Sequence, residues 1–112
     1  RQARAAVAQA QLGRAEVEAA IARANLRLQV TEAYIEAVAW QRRSITAAEQ
    51  VDVATEGLRV ARVRVRAGRA SPLEESRAGV ALVKEDAALE RAERSADVAA
   101  ASLARLIGRP VG

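Results

Sequence analysis

Arg66-Ala67-Gly68-Arg69-Ala70-Ser71-Pro72-Leu73-Glu74-Glu75 is the one strong interruption in an otherwise helical sequence, and its residues stand in the order that closes one helix and opens another. Gly68 accepts the left-handed conformation that follows a helix end. Ser71 is placed to cap the next helix, Pro72 takes the first helical position, where its missing N–H costs nothing, and Glu74 completes an S-x-x-E capping box. So short a connection makes the flanking helices antiparallel neighbours, and the stretch predicts a helical hairpin.

Upstream of this turn, stepping by seven from Ala5 meets Ala5, Leu12, Ala19, Leu26, Ala33, Trp40, Ala47, Ala54 and Ala61 without one polar residue. A second stripe runs through Val7, Ile21, Leu28 and Ile35 with Ala10, Val17, Ala24, Val38 and Ile45. It then shifts to Val51, Leu58 and Val65 with Val53 and Val60. A two-stranded coiled coil needs a single apolar seam, whereas two seams give each helix a neighbour on both sides, as in a bundle, a sheet-like array or a barrel of helices. Downstream, Leu82, Leu89, Ala96 and Leu103 recur by sevens beside Ala78, Ala92, Ala99 and Leu106, with Glu85 as the exception in that companion row. Gly108-Arg109-Pro110 reads as the stop.

The expected organisation is a single segment over 1–112, all-α, a long coiled-coil-like antiparallel hairpin. Arm one covers about 2–66, the tip 67–71, arm two about 72–107 and the exit 108–112. At 1.5 Å per residue the arms are roughly 95 Å and about 54 Å long, so something else must cover the far end of arm one. Gly13 is a candidate kink or fraying point. Trp40 and Tyr34, the only large rings, are expected at a seam or its edge.

Composition agrees. Of the 112 residues 51% are apolar, but aromatics make up 2% and Phe and Met are absent, so the apolarity rests on Ala, which supplies about a quarter of the chain. Such a composition excludes an all-β fold. The absence of Cys and His removes thiol, soft-metal and histidine acid–base chemistry, and no constellation supports an enzyme or a resident cofactor. Eighteen basic residues interspersed with fourteen acidic ones give a net charge of +4, which reads as a solvated helical surface rather than a nucleic-acid face. No apolar run approaches the ~18 to 20 residues that span a bilayer, and no signal-like segment is present. The chain starts in mid-pattern and reads as a piece of something longer.

The run Arg66 to Ala78 resembles the periplasmic helix-turn-helix tip of the TolC-like outer membrane efflux factors. It is most similar to the CzcC-like branch of heavy-metal exporters, where a Gly, a small residue, Ser-Pro and paired Glu follow one another. Thr31-Glu32-Ala33-Tyr34-Ile35-Glu36-Ala37-Val38 resembles that family's long helix entering the tip. Leu103-Ala104-Arg105-Leu106-Ile107-Gly108-Arg109-Pro110 resembles the Leu-rich end of the helix leaving it. The resemblance implies one hairpin of a helical barrel in the periplasm, from the first of two internal repeats. It further implies a homotrimer, a β-barrel in the outer membrane built from parts absent here, and a tripartite exporter in which the channel is a passive conduit. A periplasmic adaptor would be the direct partner and an inner-membrane pump an indirect one.

Two readings stand side by side at the tip. Arg59, Arg62, Arg64, Arg66 and Arg69 complement the negative end of the helix dipole, as Glu74 and Glu75 complement the positive end of the next helix. By resemblance the same tip meets the adaptor, which makes Arg66, Gly68, Arg69 and Ser71 the candidate docking residues. Glu74 serves either as the N3 residue of the cap or, by resemblance, with Arg77 as a candidate entrance or gating residue of the channel. Arg77 departs from the second acidic residue seen in relatives, and is spaced to pair with Glu74 on the surface. Asp86, Glu90, Glu93 and Asp97 share a helix face; the reading is a solvated acidic stripe, with Arg94 in reach of Glu90, and not a metal site. The alternative to a transport component is a coiled-coil interaction module with a basic tip that binds a protein partner. A nucleic-acid binder based on the Arg cluster is the third reading and is not favoured.

Overall fold

In the computed structural model, which describes residues 2–108, helix α1 (Gln2–Arg66) and helix α2 (Pro72–Ile107) run antiparallel on either side of the turn over 67–71. The fold is the expected all-α hairpin, with no strand among the described residues. It measures 100 × 19 × 13 Å, and its radius of gyration of 27.2 Å is about twice the ~13 Å of a compact chain of this length. Ala, Arg, Glu and Leu carry the helices, and neither Gly13 nor Gly57 interrupts α1.

The helices meet along one heptad seam. On α1 the shielded positions include Ala33, Ala37, Trp40, Ser44, Ala47, Val51, Ala54, Leu58, Ala61 and Val65, spaced alternately by four and three, with Val30, Val38, Ala39 and Ala48 shielded besides. On α2 they include Glu75, Ala78, Leu82, Glu85, Leu89, Ala92, Ala96, Ala99, Leu103 and Leu106, spaced by three and four, with Gly79, Ala87, Ala88, Ser95 and Ser102 shielded besides. Among the described residues only Ala61, Ala92 and Ala99 are buried, at 7–9% exposure. Small residues at a seam let two backbones approach closely, so contact between the helices themselves replaces a bulky core. Trp40 is the one large ring in the seam, beside Ser95, Ala99 and Ser102 of α2, whose small side chains leave room for the indole. The Arg43 guanidinium carbon lies 4.7 Å from the centre of its ring. Tyr34 is exposed at the flank.

The structure regroups the second stripe. Val51, Leu58 and Val65 face α2 as the companion row of the first seam, so they do not continue the outer stripe. Apart from half-buried Val38, the rest of that stripe is open: Val7, Val17, Ile21, Leu28, Ile35 and Ile45 are 55–62% exposed. Glu85 keeps its place in the α2 seam row, half-buried and without an ion pair among the described residues.

The arms differ by 29 residues, 65 against 36, so about 44 Å of α1 continues past the end of α2. Over that length every described residue but Gly13 and Val30 is exposed. α2 closes at Gly108, whose N–H donates to the Ala104 carbonyl at 2.7 Å; its backbone is right-handed (φ −78°), not left-handed. Arg109 and Pro110 of the expected stop, and the exit beyond Gly108, lie outside the described residues.

Candidate functional site: the hairpin tip

α1 ends in a Schellman arrangement. The Arg69 N–H donates to the Arg64 carbonyl at 2.8 Å and the Gly68 N–H to the Val65 carbonyl at 3.0 Å, which satisfies two carbonyls that the helix end leaves without partners. The chain turns back only because Gly68 sits at φ +71°, the one positive φ among the described residues. Ala70 and Ser71 then lead into α2. Ser71 has the extended backbone of an N-cap residue (φ −80°, ψ 154°), and Pro72 opens the helix as expected.

The reciprocal capping box does not form. Ser71 makes no side-chain cap bond; its carbonyl accepts the Glu74 N–H at 3.0 Å instead. The Glu74 carboxylate is drawn across the turn to Arg64, 3.5 Å away, and so neither reaches back to Ser71 nor pairs with Arg77. Arg64 also donates to the Arg69 carbonyl at 3.5 Å, so one guanidinium links the end of α1, the turn and the start of α2. A charged partner opposite outcompetes the neutral backbone N–H of Ser71 for the Glu74 carboxylate.

Arg62 meets Glu75 at 3.8 Å, the second link between the helices. Arg62 follows the seam residue Ala61 and Arg64 precedes the seam residue Val65, so helical spacing places the two ion pairs on opposite flanks of the seam. Arg59 donates two hydrogen bonds to Glu56, at 2.6 and 3.0 Å. These bonds hold the Glu56 carboxyl below the ordinary glutamate range and raise Arg59. All three pairs are about half exposed or more; for the two that link the helices, Arg62–Glu75 and Arg64–Glu74, such a setting typically makes an isolated ion pair worth at most about 1 kcal/mol.

Arg66, Gly68, Arg69 and Ser71 all lie exposed at this end of the molecule, with Glu74 in the first turn of α2 and Arg77 in the second. Arg62, Arg64 and Glu75 belong to the same surface and were not singled out as site residues in the sequence. Counting outward from the turn brings these arginines opposite the glutamates to within one residue, and that is the signal that finds them. Away from the tip, Arg94 lies 3.9 Å from Glu90. No group of three or more His, Cys, Asp or Glu side chains among the described residues is arranged to hold a metal ion. No helix there is long and apolar enough to cross a membrane.

A hairpin that fills one apolar seam and leaves a second open, with a charged turn at one end, defines a class of helical segment made to pack against further helices. The chain belongs to the outer membrane efflux protein family, whose model matches residues 1–109. No curated protein and no solved structure matches it significantly. Proteins of this family are outer membrane transport channels with periplasmic helical portions, and they work with periplasmic adaptors in tripartite systems.

Proposed function

We propose that this chain is a periplasmic helical-barrel segment of an outer membrane efflux channel in a tripartite exporter, a passive conduit that docks a periplasmic adaptor through Arg66, Gly68, Arg69 and Ser71. The observation that carries this reading is the pair of apolar faces on α1: α2 covers one, and the outer stripe from Val7 to Ile45 is left for neighbouring helices. A free-standing coiled-coil prong has no use for that second face. In the assembled channel the neighbours are hairpins of a homotrimer, and Glu74 and Arg77 stand near the entrance. The cargo is a heavy-metal cation, a reading that rests on the resemblance of the tip sequence to the CzcC-like branch.

Binding of the chain to a panel of periplasmic adaptor hairpins, compared with a Gly68→Asp, Arg69→Glu variant of unchanged helicity, tests the docking role. Tip-dependent binding supports it, and binding indifferent to the tip removes it. The cargo is tested separately: cells lacking the channel become sensitive to divalent heavy-metal cations if the reading holds, and unchanged tolerance refutes the cargo while leaving the channel.

A further inference from the structure

We infer that the surface onto which this tip docks is acidic, a protein tip whose carboxylates meet Arg66, Arg69 and Arg77. The inference rests on the docking reading above and adds the chemistry of the partner. Between Glu56 and Arg77 the chain carries six arginines and three glutamates, and no other charged residue. All three glutamates are engaged, Glu56 by Arg59, Glu75 by Arg62 and Glu74 by Arg64. What remains is Arg66, Arg69 and Arg77, exposed and without an ion-pair partner among the described residues. Three of the four excess positive charges of the whole chain are thus concentrated, unneutralised, on the turn and the two helix ends that flank it.

The internal pairs sharpen this surface. Because every local carboxylate is occupied, a basic partner tip finds no free acid and meets like charge, whereas an acidic tip finds three unpaired donors. Leu73, 55% exposed beside these arginines, offers a protein partner an apolar contact that a polyanion cannot use. The only large rings, Tyr34 and Trp40, lie far along α1, at least 26 residues (about 39 Å) from the end of that helix, so the tip has no platform on which nucleobases stack.

The test measures binding of the chain to periplasmic adaptor hairpins grouped by net tip charge as acidic, neutral or basic, with heparin as a polyanion probe and circular dichroism to confirm helicity. Acidic tips should bind tightest, and the Arg66→Gln, Arg69→Gln, Arg77→Gln variant should lose on the order of ten-fold toward them. Arg59→Gln, which removes an already paired cation, should stay within about two-fold. Glu74→Gln with Glu75→Gln releases Arg64 and Arg62 and should tighten binding to acidic tips. Equal binding of neutral or basic tips, unaffected by the triple variant, overturns the acidic partner and leaves docking standing. Absence of binding to every hairpin overturns the docking reading itself. Heparin binding tighter than any hairpin, with a steep salt dependence, replaces the protein partner with a polyanion.

Discussion

Gly68 and Ser71 stand three residues apart in the same turn, yet they make different demands. At Gly68 a Cβ would meet nothing within 4 Å, so the cost of a side chain is purely that of holding φ at +71°. Gly68→Ala should therefore destabilise the hairpin by roughly 1–2 kcal/mol in urea or thermal unfolding. Ser71→Ala, at an N-cap whose hydroxyl makes no cap bond, should stay within about 0.5 kcal/mol. Glu56 gives a third prediction at this scale. Its folded pKa is lowered by Arg59, so its contribution to stability is present above the unfolded glutamate pKa and is lost as pH falls through the lowered folded value. A carboxyl NMR titration should show Glu56 with a midpoint below the ordinary glutamate value, and Arg59→Gln should bring it back. The turn glycine was legible in the sequence because only one residue type fits a positive φ next to a helix end. The fate of Glu74 was not, since the competitors for its carboxylate lie across the turn and adjacency in sequence hides them.

At the scale of the element, the seam is a contact between alanines more than between large side chains. Ala92 is 7% exposed at its centre, and Ala92→Leu forces the helices apart, with an expected loss of about 1–3 kcal/mol. Val98→Ala, on the outward face of the same helix at 65% exposure, should change stability by no more than about 0.5 kcal/mol. Heptad counting from Ala5 and Leu82 found this seam because a seven-residue period is a direct consequence of two helices wound side by side. It misassigned Val51, Leu58 and Val65, which are apolar in either grouping. Periodicity shows that a face is apolar, not which neighbour covers it.

The whole molecule is shaped by what it leaves uncovered. With an open outer stripe and about 44 Å of α1 beyond α2, the chain exposes far more apolar side chain than it buries, and surfaces of that kind associate. Its sedimentation mass should rise with concentration, and Ile21→Lys with Leu28→Lys should hold it at the monomer value. The unequal arms were legible from the position of the turn. The tip's net preference for a partner was not, because it depends on which charges cancel, and that is decided by the register of one helix against the other.

The overhang of α1 also has a consequence in time. Amide protons opposite α2 are protected by the hairpin's own packing, whereas those over residues 2–30 are held by a lone helix that opens and closes on its own and exchanges quickly with solvent. Protection in that stretch thus comes from neighbouring helices alone. Deuterium uptake there, referred to uptake in α2, becomes an internal gauge of whether the hairpin is standing by itself or built into its wall.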